Sequence, residues 1–218
     1  MDAASEVTSA PRHAYAAFRT TLALIGLAVM PSFLVLGLHY APFLTRPASS
    51  LIVEGQIQAQ LETPVEREQR AVTAYIAKRY RVSEANVAEY VAVAYRAGAQ
   101  YSVDPLLILA VMAVESSYNP VAESGVGAKG LMQIIPKFHL EKLADHGGEP
   151  ALLQPEVNIQ VGARILREYQ RRFRDTEAAL QMYAGAFDEP TTRYANKVLA
   201  EKAILEALRA KARKQQSA

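Results

Sequence analysis

The chain has 218 residues, half of them hydrophobic, which suits one globular domain with a sizeable core and something extra. Its 24 Lys and Arg against 22 Asp and Glu leave a formal charge of +2, and no basic stripe interleaved with aromatics marks a nucleic-acid surface, so no nucleic-acid partner is expected. The absence of cysteine excludes disulfides, thiolate zinc sites and a lipid-bearing N-terminal Cys, and the scattered His13, His39, His139 and His146 suggest no metal site; no cofactor is implied.

Residues 1–19 are small and polar and include Arg12 and Arg19, reading as a short cytoplasmic N-terminus. An apolar run from 22 to 38 follows, loosening toward 44, with Ser32 its only polar interior residue. About 20 apolar residues cross a bilayer as a helix, so 20–44 predicts a transmembrane anchor, kinked at Pro31. The upstream Arg residues keep the N-terminus on the cytoplasmic side. A cleaved signal peptide fits less well. The run is longer than that segment's apolar core, and neither His39-Tyr40-Ala41 nor Arg46-Pro47-Ala48 makes a good cleavage site. A buried helix of a soluble protein fits worse still, because 45–65 reads as loose linker, with Thr45-Arg46-Pro47-Ala48-Ser49-Ser50, Gly55 and Pro64.

From Val65 the pattern turns helical, and the domain is placed at 66–212. Val72, Tyr75, Ile76 and Tyr80 share one face at 3.6-residue spacing. Ser83 reads as the N-cap of a second helix with Val87, Tyr90, Val91, Ala94 and Tyr95 inward, ending near Gly98. Asp104-Pro105 restarts the chain as N-cap and first helical residue, and the helix over 105–115 is apolar almost all round, hence buried. A glycine-bearing loop spans 116–130. Pro136 opens a further helix that Gly147-Gly148 ends; Pro155 starts a long one to about Phe173; Thr176 caps a shorter one; and a last helix covers about 191–209. The basic run Arg209, Lys211, Arg213, Lys214 reads as a solvated, frayed end. No alternating strand pattern and no repeat interrupts the series, so the domain is expected to be all-α.

Glu115 closes the apolar helix that begins at Leu106. Apolar surroundings disfavour its charged form, and the negative end of a helix adds to that. A carboxyl held protonated near neutral pH can protonate the leaving oxygen of a glycosidic bond. By position alone the same residue reads as an ordinary helix-end carboxylate, turned to solvent or paired with Lys129. Three glycines in the following loop allow close backbone approach to a ligand, and Gln133 offers both a donor and an acceptor. Met132 reads equally as core packing. Asn158 and Gly162, four apart on one helix face, read as packing and a helix-start hydrogen bond.

The stretch Glu115-Ser116-Ser117-Tyr118-Asn119-Pro120, then Ala122-Glu123-Ser124, then Gly127-Ala128-Lys129-Gly130-Leu131-Met132-Gln133-Ile134-Ile135-Pro136 resembles the first two motifs of the soluble-type, goose-lysozyme-like lytic transglycosylases over 22 positions. Asn158-Ile159-Gln160-Val161-Gly162, Tyr183, and Tyr194-Ala195-Asn196-Lys197-Val198-Leu199 match later elements in order, so the resemblance covers about 70–205. It implies a lysozyme-like helical fold with a groove for peptidoglycan glycan strands. It implies Glu115 as the single catalytic acid and base, Ser124 as the contact to the sugar N-acetyl group, Met132 and Gln133 as cleft-lining residues, and Tyr183 as the Tyr that positions acid or substrate. The family's usual Tyr-Asn-Ala-Gly reads here Tyr183-Ala184-Gly185-Ala186, which removes one side chain beside Tyr183.

The implied reaction cleaves the β-1,4 bond between N-acetylmuramic acid and N-acetylglucosamine and leaves a 1,6-anhydro end, without a second carboxylate; Glu123, nearest by motif position, is not assigned that part. With the apolar run, this gives a single-pass inner-membrane protein whose domain works in the periplasm, with an envelope complex as a further conceivable partner. A hydrolytic muramidase and a non-catalytic peptidoglycan-binding scaffold are the alternatives.

Overall fold

Thr63 and Glu66 start the first helix with a reciprocal cap: the Glu66 amide donates to Thr63 Oγ1 at 3.2 Å and the Thr63 amide to Glu66 Oε2 at 2.8 Å. Our computed structural model describes residues 62–214; the expected anchor at 20–44 and the linker up to 61 lie outside them. Helix α1 runs Pro64–Tyr80, so Pro64 is not linker but the first helical residue, where a missing amide hydrogen costs nothing. It ends at Arg81 in the left-handed region, whose amide returns to Ala77 O.

Helix α2 spans Glu84–Tyr101; Ser83 holds the N-cap position, although its side chain makes no capping bond. Helix α3, Pro105–Ser116, is capped by Asp104, which accepts from the Leu106 amide at 3.0 Å. Every residue from Leu106 to Ala113 is buried. Complete burial of a Leu or Ile side chain contributes about 1.5–3 kcal/mol, so α3 anchors the core. It packs against α2 and against the last helix, α7 (Arg193–Lys214).

One continuous helix was expected from Pro136 to Gly147, and the structure differs. The segment breaks into a 3-10 turn at Pro136–Phe138, a single turn α4 at Leu140–Leu143, and further 3-10 turns at Ala144–His146 and Glu149–Leu153. His139 leaves helical geometry at φ −139°, and Phe138 and Leu140 stay 64% exposed, so no continuous apolar face draws this segment into a regular helix. Helix α5 covers Pro155–Phe173 and α6 covers Thr176–Tyr183. The cap of α6 is Asp175 rather than Thr176: its carboxylate accepts from the Ala178 amide at 2.7 Å.

Helix α7 is longer than expected, and its basic end is not frayed. Glu68 of α1, only 2% exposed, accepts from Tyr95 Oη at 2.5 Å and from Arg213 Nη2 at 3.0 Å, with Arg209 nearby. Asp104 pairs with Lys202 at 3.1 Å and Arg209 at 3.5 Å. Within the run that read as solvated charge, Arg209 and Arg213 thus close α7 onto α1 and the start of α3, while Lys211 and Lys214 stay exposed as expected. Among the described residues the fold is all-α; its extended pairing is limited to isolated bridges joining Glu123 to Lys129 and Lys129 to Ile134. No described helix is long and apolar enough to cross a membrane.

Candidate active site

Glu115 sits in the last turn of α3, half-buried, at the wall of a cleft of about 520 Å³. The Tyr194 hydroxyl, from the first turn of α7, donates to its Oε1 at 2.6 Å. Burial pushes the Glu115 carboxyl above the usual carboxylate range, and the Tyr194 bond pulls part of the way back. Lys129, the alternative partner, turns away to Glu123 and Glu149. Glu115 is the one carboxylate among the residues lining this cleft.

The loop after α3 is built from its own backbone. Ser116 Oγ donates to Leu131 O at 2.8 Å, tying the helix end to the far side of the loop. Tyr118 folds inward, fully buried, and donates to Leu109 O at 2.9 Å. Ser124 and Ala128 bond reciprocally: the Ser124 amide donates to Ala128 O at 2.9 Å, and Ser124 Oγ accepts from the Ala128 amide at 3.0 Å. Gly127 makes that tight turn at φ +83°, which a side chain would strain. Ser124 Oγ therefore keeps its own proton to donate into the cleft it lines.

Gln133 also lines the cleft, at φ +47°. Its Nε2 donates to Ala122 O and Gly130 O, both at 3.0 Å, so it braces the loop and leaves Oε1 as an acceptor. Met132 is placed differently from the expectation. Its side chain has no exposed surface and does not line the cleft; it packs against Gly162, where an added Cβ would collide with the Met132 sulfur. Its backbone is what reaches the site: Tyr183 Oη donates to Met132 O at 2.8 Å. Tyr183 lines the cleft but bonds the loop, whereas the hydroxyl on the acid belongs to Tyr194. The sequence places Tyr194 only in a closing helix motif, with no local sign that it meets a residue 79 positions away.

Asn158 explains how α5 holds this architecture. Fully buried, it accepts from the Met132 amide at 2.7 Å and donates to Lys129 O and Leu152 O, each at 2.9 Å. A Cβ at Gly130 (φ +74°) would strike the Asn158 amide. The cleft is also lined by Phe138, His139 and Tyr169. Burial, with the Lys142 ammonium beside it, pushes the His139 imidazole below its ordinary value, so this wall is neutral and amphipathic near pH 7. Among the described residues no group of His, Asp and Glu converges so as to hold a metal ion.

A helical domain whose central helix ends in a lone, partly buried carboxylate facing a neutral, hydroxyl- and amide-lined cleft is of the lysozyme-like class. Residues 92–198, just under half of the chain, match the transglycosylase SLT domain model. The chain is 40% identical over 108 residues to the transglycosylase of Enterobacteria phage PRD1, covering 47% of this chain and 39% of that protein. It is 35% identical over 111 residues to the membrane-bound lytic murein transglycosylase C of Sodalis glossinidius, covering 48% and 28%. The 70 kDa soluble lytic transglycosylase of Escherichia coli superposes with a TM-score of 0.51 at 21% identity, over 67% of this chain and 31% of that one, a likeness of fold. The chain thus matches less than half the length of each of these relatives.

Proposed function

We propose that this protein is a peptidoglycan lytic transglycosylase that cleaves between N-acetylmuramic acid and N-acetylglucosamine and leaves a 1,6-anhydro end. The observation that carries the reading is Glu115 as the lone cleft carboxylate, pushed up by burial and held by a Tyr hydroxyl. Protonated Glu115 gives its proton to the leaving glycosidic oxygen as the C1–O bond breaks. The substrate's own N-acetyl oxygen attacks C1 from the other face, with the Ser124 hydroxyl orienting the acetamido group. Glu115, now a carboxylate, takes the proton of the sugar 6-hydroxyl as that oxygen bonds C1 and displaces the N-acetyl oxygen. No water is consumed. Gln133 Oε1 and the Phe138–His139 wall contact sugar amides and ring faces.

We read 20–44 as the anchor that holds this domain in the periplasm against the inner membrane, where the strands lie. The membrane-bound relatives support an envelope location.

Digestion of purified peptidoglycan by the full chain in detergent, with the products weighed, tests the reaction. Anhydro-muropeptides are expected. Reducing ends alone would assign a hydrolytic muramidase instead, and no release would leave only glycan binding. N-terminal sequencing of the mature protein from membranes is expected to begin ahead of residue 20; a start near 41 or 48 would mean a cleaved signal segment.

A further inference from the structure

Gln181 is 3% exposed, in the last turns of α6, and takes no part in the cleft lining. Its Nε2 donates to Ala186 O at 2.9 Å, and its Oε1 accepts from the Ala195 amide at 3.0 Å. Its backbone carbonyl accepts from the Ala186 amide at 2.8 Å. The turn after α6 is thus fixed by this side chain and this carbonyl, while Gly185 passes at φ +66°.

The second partner matters for the chemistry. Ala195 lies in the first turn of α7, where amides lack helical acceptors, and it is fully buried, so water cannot serve it. Gln181 is its acceptor. The amide it holds belongs to the peptide group that joins Ala195 to Tyr194, whose hydroxyl rests on Glu115. Just before, Thr192 takes a left-handed φ of +43°, a conformation that persists only where surrounding contacts hold it. Position 184, where the family's usual Asn is replaced by Ala, is exposed on the cleft rim. Here the turn is held from the core side.

We propose that Gln181 is the positioning residue of the acid: its buried amide ties the turn after Tyr183 to the start of α7 and so sets the Tyr194 hydroxyl on Glu115. Without it, the Ala195 amide is buried without a partner, Ala186 O keeps only the Glu189 amide at 3.0 Å, and the start of α7 shifts to satisfy the orphaned amide. Tyr194 then leaves Glu115. The role assigned to Glu115 as acid rests on the function proposed above; the geometry of the clamp does not.

The test reads Glu115 directly. The full chain in detergent micelles, carbon-13 labelled at glutamate carboxyls, is titrated by NMR, with the Glu115 signal assigned by its loss in Glu115→Gln. The other titratable groups around the acid are Tyr194 from α7, Tyr183 from α6, and His139 and Tyr169 in the cleft lining. Gln181→Met, Gln181→Asn and Tyr194→Phe are each expected to move the Glu115 midpoint upward, because each removes the bond that lowers it. Gln181→Met combined with Tyr194→Phe is expected to move it no further than Tyr194→Phe alone. Unchanged midpoints in both position-181 variants, or additive shifts in the double variant, overturn the proposal. A wild-type measurement stands whichever variants fold: the Ala195 amide must exchange slowly, and fast exchange also overturns it. Turnover is a separate arm, with kcat expected to fall about three- to tenfold and KM to stay unchanged in Gln181→Met. A wild-type chain that releases no anhydro product sinks the functional reading while the titration still decides the clamp.

Discussion

Glu115 carries two opposing influences whose balance sets its behaviour with pH. Burial disfavours the carboxylate and the Tyr194 hydroxyl favours it, with burial the larger. The folded midpoint therefore lies above the unfolded one, about 4.3. Between the two, the folded state holds the extra proton, so ionising Glu115 costs stability as pH rises through that window. Glu115→Gln keeps the shape and removes the ionisation. It is expected to abolish strand cleavage by about 10²–10⁴-fold while melting above wild type at pH 7, with the gain vanishing below about pH 4. Anhydro-product release and calorimetry at the two pH values check both halves. Retained cleavage would remove Glu115 from the reaction. The apolar helix points to this carboxylate as a strained acid, but Tyr194 as its partner becomes visible only when α7 is folded against α3.

At the scale of elements, the loop from Ser116 to Gln133 depends on α5 for its shape. Asn158 supplies bonds to Met132, Lys129 and Leu152 from a fully buried site. Asn158→Leu is expected to lower stability by about 2–4 kcal/mol, since buried backbone groups lose partners that water cannot replace. Urea unfolding measures this, and a loss under about 1 kcal/mol would mean the loop holds itself. Gly162 makes the same point sterically, since a Cβ there would drive Met132 from its seat. The four-residue spacing of Asn158 and Gly162 already read as packing with a helix-start hydrogen bond. Which part of the loop they would pack on could not be read, because that partner lies 26 residues earlier. The same reasoning accounts for 136–153: helix signals were present at its ends, but the choice between one helix and several short turns depends on which of Phe138, Leu140 and Leu143 find a core, and only Leu143 does.

At the scale of the molecule, α7 fastens the domain. It packs on α3 and α1, carries Tyr194 at one end, and delivers Arg209 and Arg213 to Glu68 at the other. Arg213→Ala leaves a buried carboxylate short of its cation. The Arg side chain is 60% exposed, so part of the loss is screened, and a cost of about 1–2 kcal/mol is expected. Thermal unfolding reads it, and an unchanged Tm would return the C-terminal charges to the solvated role their sequence suggests.

By itself the sequence determined the long helices, the cap at Asp104, the buried character of α3, and the carboxylate at its end. Those features rest on hydrogen bonds and apolar spacing within a few residues, which local order encodes. The tertiary structure alone decided that Tyr194 rather than Tyr183 touches the acid, that Met132 serves through its carbonyl, and that the basic tail is a clasp. These contacts join residues 79, 51 and 145 positions apart. A Tyr, Met or Arg has the same local signature whether it faces water or a partner, and only the packing of one helix on another selects between them.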